Sequence, residues 1–141
     1  MENANRHILL VDDDIELALM YQELLREHGY EVTTVADGRE ALKALKTGKL
    51  DAIICDLSMP ELSGDLFYRE VGLAYPALLK RFIFLTGNAG HPLYETFLKS
   101  ISAPVLAKPT TTERLLEELA AVLASPRDKA ILRQGASIVP S

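Results

Sequence analysis

The chain has 141 residues, 48% apolar and 25% charged, with one cysteine and a formal net charge of −5 at pH 7. That length holds one domain with a real core and is short for two. Scattered Lys and Arg argue against nucleic-acid binding, no apolar run nears the roughly 18 residues of a membrane span, and a lone cysteine excludes an internal disulfide and suits the cytosol.

The polar start Met1 to Arg6 leads straight into a strand pattern and does not read as a signal peptide. Ile8-Leu9-Leu10-Val11 is the first apolar run and stops at Asp12-Asp13-Asp14. Leu17, Met20, Tyr21, Leu24 and Leu25 then follow the i, i+3, i+4, i+7, i+8 spacing of one helical face, which Gly29 ends. Tyr30 to Val35 reads as a second strand. Asp37-Gly38 opens a helix carrying Ala41, Leu42 and Leu45, which stops near Gly48. Leu50 to Cys55 is the third strand, ending at Asp56, and a loop through Met59-Pro60 reaches Gly64. A helix around Leu66 to Ala74 precedes a fourth strand, Phe82 to Leu85, which runs into Thr86. After the loop Gly87-Asn88-Ala89-Gly90, a helix is expected from Pro92 to about Ile101. Pro104-Val105-Leu106-Ala107 runs into Lys108, and Thr110 with Glu113 resembles a capping box opening a last helix to about Ala124. Pro126 breaks that helix. The expected organisation is one domain over 1–125 and a tail or linker stub over 126–141.

Short apolar runs alternating with amphipathic helices imply an α/β fold, a doubly wound parallel sheet with helices on both faces. Right-handed crossovers are expected. In such sheets, sites form at the carboxyl ends of the strands. Here those ends carry carboxylates (Asp12, Asp13, Asp56), a hydroxyl (Thr86) and an ammonium (Lys108).

Helix capping accounts for one or two of the aspartates after the first run, with Asp13 and Glu16 fitting a box-like cap. It does not account for three together, because clustered carboxylates resist full ionisation without a cation. Oxygen-only ligands suit Mg²⁺, whereas Zn²⁺ would call for His or Cys. Asp56 beside Asp12 and Asp13 would complete the metal site and act as a nucleophile. Thr86 and Lys108 are weak signals singly; jointly they would meet phosphoryl oxygens bound at Asp56. A cis Lys108-Pro109 bond would aim the ammonium inward. Cys55, at the end of a buried strand, reads as a packing residue.

Together, Val11-Asp12-Asp13, Asp56 with Met59-Pro60 and Gly64, Thr86-Gly87, and Lys108-Pro109 resemble the receiver domain of two-component response regulators. The resemblance spans about Arg6 to Ala124. It implies a five-stranded (βα)5 flavodoxin-like sheet in the order 2-1-3-4-5. It also implies that Asp56 accepts a phosphoryl group from a histidine kinase or phosphotransfer protein, with Thr86 and Lys108 contacting that group. Asp13 and Asp56 would bind Mg²⁺ directly, Asp12 through water, and the Ser58 backbone carbonyl would complete the protein ligands. The expected role is a signalling switch in the cytoplasm, not an enzyme with a separate substrate. The output partner is unassigned, no direct contact with nucleic acid or membrane is expected, and any homodimer would be weak. Ser58 and Asn88 would flank the path of water to the acyl phosphate. The stretch from Arg81 to Lys108 resembles receivers attached to hybrid kinases.

Two positions depart from the family pattern. Val105 stands where receivers commonly carry Tyr or Phe, and Thr110 stands where Phe often follows Lys-Pro. A degenerate receiver, binding partners without phosphorylation, is therefore the main alternative. A haloacid-dehalogenase-like phosphatase would need Asp-x-Asp-x-Thr/Val, and Glu16 stands at the last position. A flavodoxin-like cofactor binder would need a Gly/Ser/Thr-rich phosphate loop where this chain is acidic.

Overall fold

A computed structural model describes residues 6–59, 62–87 and 92–124. The elements are β1 (His7–Val11), α1 (Ile15–Glu27), β2 (Glu31–Val35), α2 (Gly38–Leu45), β3 (Ala52–Asp56) and α3 (Gly64–Ala74). A 3₁₀ turn (Pro76–Arg81) follows, then β4 (Phe82–Thr86), α4 (Pro92–Lys99), β5 (Val105–Ala107) and α5 (Thr112–Leu123). The strands form one five-stranded sheet in the order β2-β1-β3-β4-β5, and every pairing is parallel. This is the expected doubly wound order.

The central strands are apolar at nearly every position because both faces are covered. Successive side chains point to opposite faces, so each strand feeds two cores. Ile8, Leu10, Ile54, Ile83, Leu85 and Leu106 pack with Ala18, Tyr21 and Leu25 of α1 and Leu115 and Leu119 of α5. On the other face, Leu9, Val11, Ile53, Cys55, Phe82 and Phe84 pack with Ala41 and Leu45 of α2, Phe67 and Val71 of α3, and Phe97 of α4. Tyr68 adds an edge-on ring to Phe82 and to Phe97 at centroid distances of 4.9 and 5.5 Å. β1 and β3 lie side by side, with Val11 opposite Cys55. The residues after each, Asp12 and Asp56, therefore emerge together.

Several local expectations are corrected. The apolar face of α1 centres on Ala18, Tyr21 and Leu25, and Met20 is exposed at 54%. A helix turns about 100° per residue, so Met20, next to buried Tyr21, is carried off the face. The N-cap of α1 is Asp14, whose Oδ1 accepts from Leu17 N at 3.2 Å. Asp13 is thus released from capping and left exposed at the strand end. The cap of α5 is Thr111, whose Oγ1 accepts from Arg114 N at 3.1 Å, displacing the Thr110–Glu113 box by one residue. Helix α4 stops at Lys99, two residues short of Ile101. The 3₁₀ turn, with proline at its start, had no sequence assignment. Gly29 and Gly48, at φ 95° and 73°, do end α1 and α2 as read. Pro60, Asn88 and the tail 126–141 lie outside the described residues.

Candidate phosphoryl and metal site

The site begins where β1 ends. Asp12 N donates to Val35 O at 3.1 Å, extending the ladder one residue past β1. That places the Asp12 side chain at 0% exposure, above the sheet edge. Its Oδ1 accepts from Asp14 N at 2.9 Å, which turns the chain into α1. Asp56, the last residue of β3, is 5% exposed, and its Oδ1 accepts from Ser58 N at 3.3 Å. Gly64 N donates to Leu57 O at 2.8 Å. A Cβ on Gly64 would stand 2.5 Å from Asp56 O and 2.8 Å from Leu57 Cα. Only glycine lets α3 start this close to the backbone at the end of β3.

Lys108 enters from beyond β5. Lys108 N donates to Thr86 O at 3.0 Å, and the Lys108-Pro109 bond is cis, as expected from the sequence. Its Nζ lies 3.1 Å from Asp12 Oδ2 and 3.2 Å from Asp56 Oδ2. The ammonium thus bridges two carboxylates 44 positions apart in the chain. Thr86 is buried at the end of β4, one residue past Leu85, which pairs with Asp56.

Asp12, Asp13 and Asp56 each offer an oxygen, all within 4.8 Å of one another, and they form a candidate metal cluster among the described residues. Asp12 Oδ2 is buried and accepts no hydrogen bond although Lys108 faces it. An unfilled buried lone pair in an all-oxygen donor set fits a hard divalent ion such as Mg²⁺. Ser58 is exposed, two residues past Asp56.

Burial raises the Asp56 carboxyl above its ordinary value. Lys108 opposes the rise, Asp12 adds to it, and hydrogen bonds from Lys108 and Ser58 oppose it. Burial pulls the Lys108 ammonium down, but Asp56 and Asp12 outweigh that and leave it above its ordinary value. Burial, reinforced by Asp56, Asp12 and Asp65, pushes the Cys55 thiol well up. A buried thiol held protonated is a poor nucleophile, in keeping with the packing role read from the sequence.

A family model for the response regulator receiver domain matches residues 8–120. The chain belongs to that family. The transcriptional regulatory protein ZraR of Escherichia coli strain K12 is 32% identical over 124 residues, which are 88% of this chain and 28% of ZraR. The chain therefore spans under a third of that relative. Among solved structures, the receiver domain of the sensor histidine kinase PA1611 from Pseudomonas aeruginosa PAO1 has a TM-score of 0.78 and 32% identity. The match covers 86% of this chain and all of that one, and that receiver carries a magnesium ion in its active-site cleft. The response regulator TrrA of Thermotoga maritima, in complex with Mg²⁺-BeF, has a TM-score of 0.72 and 31% identity, covering 84% of this chain and 99% of that one. Relatives thus include both transcriptional regulators and a kinase-borne receiver. No helix among the described residues is long and apolar enough to cross a membrane.

Of the sequence-predicted residues, the structure brings Asp12, Asp13 and Asp56 within 4.8 Å of one another and Lys108 Nζ against Asp12 and Asp56. Val105, in place of the usual ring, is half-buried opposite Phe84 and packs into the aromatic cluster of the α2–α4 face. The close approach of Gly64 to Asp56 O was invisible in the sequence, where Gly64 was only a motif position.

Proposed function

We propose that this receiver is a phosphorylation-controlled switch in which Asp56 accepts a phosphoryl group from a histidine kinase or phosphotransfer protein. The observation that carries this reading is the placement of Asp56, 5% exposed, with Lys108 Nζ at 3.2 Å and two further aspartates in reach of one cation. Asp56 Oδ attacks phosphorus. A P–O bond forms, the P–N bond to the donor imidazole breaks, and the ring, already protonated on its other nitrogen, takes the electron pair and leaves as neutral imidazole. Asp12 and Asp13, with Asp56 itself, would hold Mg²⁺, and the Ser58 carbonyl would complete the protein ligands. Bound Mg²⁺ supplies charge neutralisation between an anionic nucleophile and an anionic donor.

Lys108 does the chain's own share of that work. It is the counter-ion of Asp12 and Asp56. On phosphorylation it would stay beside Asp56 and pair with a phosphoryl oxygen. The Thr86 hydroxyl, at the end of the neighbouring strand, would donate to another, and its movement would bias the segment after Gly87 and α4. The domain takes no separate substrate in this reading, acts in the cytoplasm, and passes its state to a protein partner. Residues 1–125 would make up the receiver, and 126–141 a tail or linker.

Incubation with acetyl phosphate and Mg²⁺ should label Asp56, and Asp56→Asn should abolish the label. Undiminished labelling of that variant, or no labelling of the wild type by acetyl phosphate or by a phosphotransfer protein, would sink the assignment.

A further inference from the structure

We propose that Tyr21 is a positioning residue for Lys108, its phenol oxygen pinning the backbone just past Lys108 so that the ammonium stays between Asp12 and Asp56. The inference deepens the function proposed above and rests on it for its consequence. Tyr21 lies in the core-facing stripe of α1 and is 2% exposed. Packing alone would be met there by Leu or Phe. A buried tyrosine hydroxyl needs a polar partner, and this one accepts from Thr110 N at 3.3 Å. Thr110 is separated from Lys108 only by Pro109, which has no N–H to give.

Among the described residues, the anchoring of that loop is otherwise sparse. β5 has only three residues, and it is an edge strand paired to β4 alone. Lys108 N is held on the sheet side by Thr86 O at 3.0 Å. Thr111 caps α5 immediately afterwards. Between those two anchors, the phenol of Tyr21 reaches across 89 positions to fix Thr110. The contact joins α1, which starts at the acidic triplet, to the loop that delivers the cation to that triplet. Displacing this loop would displace Nζ from two carboxylates held at 3.1 and 3.2 Å.

Tyr21→Phe removes the oxygen and keeps the ring, so the variant should fold. Two measurements test the proposal. The first needs no ligand: amide exchange at Thr110 and backbone ¹⁵N relaxation at Lys108 should both show loosening in Tyr21→Phe. Protection and order equal to wild type would overturn the proposal whether or not Asp56 is phosphorylated. The second titrates beryllofluoride in saturating Mg²⁺. Tyr21→Phe should weaken it by about three- to tenfold, what one hydrogen bond is worth in an equilibrium, while Mg²⁺ affinity measured alone changes less than about twofold. In a Lys108→Ala background the same substitution should have no further effect. A full additional loss there would show that Tyr21 acts otherwise than through Lys108 and would overturn the proposal. Val32→Ala, a core truncation in β2, controls for general destabilisation and should leave beryllofluoride affinity unchanged. A drop there matching that of Tyr21→Phe would also count against a positioning role. Absence of beryllofluoride binding by the wild type would instead strike the phosphoacceptor reading, leaving the exchange data to decide the role of Tyr21.

Discussion

Replacing Asp56 by Asn should stabilise the metal-free protein at neutral pH. At an effective dielectric near 20, a unit charge at the 3.2 Å of Lys108 attracts the carboxylate by about 5 kcal/mol. Asp12, within 4.8 Å, repels it by about 3.5 kcal/mol. Asp13 is exposed, so solvent screens its repulsion and it adds less. Attraction and repulsion nearly offset, and the desolvation of a carboxylate that is 5% exposed then tips the sum against the ion. The raised pKa of Asp56, with burial as its leading cause, has the same sign. Asn removes the charge and keeps an oxygen for the Ser58 N–H, while Lys108 retains Asp12. A gain of about 1–2 kcal/mol is expected, a rise in Tm of about 3–8 °C.

The pH dependence follows from the direction of the shift. A carboxyl raised in the fold binds its proton more tightly there than in the unfolded chain. Below its ordinary value of 3.8, both states are protonated and the variant should match wild type. The advantage should grow as pH rises through that value and level off above the raised folded pKa. Urea unfolding in EDTA from pH 3 to 8 measures the difference directly. Adding Mg²⁺ should narrow or reverse it, since wild type gains about 1.4 kcal/mol at ten times its Kd and the variant lacks one ligand. An Asp56→Asn protein less stable than wild type at pH 7 in EDTA would refute the reasoning, as would a difference independent of pH.

Lys108→Ala should act in the opposite sense, leaving Asp12 and Asp56 without their counter-ion and costing about 2 kcal/mol in EDTA at pH 7. Restoration of much of that loss by Mg²⁺ in thermal unfolding would show the cation taking over the role; no loss would mean the ion pairs carry nothing. Gly64→Ala forces a Cβ to 2.5 Å from a backbone oxygen and should cost about 2–3 kcal/mol, with an unchanged Tm contradicting the close approach. Thr111→Ala should cost about 1 kcal/mol as a lost N-cap, and Thr110→Ala less than about 0.5. The reverse ranking in urea melts would restore the Thr110 cap.

The four apolar runs and the polar residues that end them were legible because burial on both faces of a parallel sheet writes itself locally, as consecutive Val, Ile, Leu and Phe. Elsewhere the signal was ambiguous by a residue. Asp13 and Asp14 are both competent caps, as are Thr110 and Thr111, and the choice falls to where the preceding strand lets the chain turn. Met20 looked like a core residue because its spacing to Leu17 and Leu24 is helical. The face that meets the sheet is chosen by the packing of Ala18, Tyr21 and Leu25, which spacing alone does not rank.

The sequence by itself determined the order of strands and α-helices and which chemical groups stand at the strand ends, since both are properties of neighbours along the chain. The tertiary structure alone decided the distances. Lys108 meets Asp12 and Asp56 from 96 and 52 positions away, and Tyr21 meets Thr110 from 89. Those separations are closed by strand register and by two packed cores. The burial that raises Asp56, the counter-ion role of Lys108 and the hydroxyl anchor behind it are consequences of that closure.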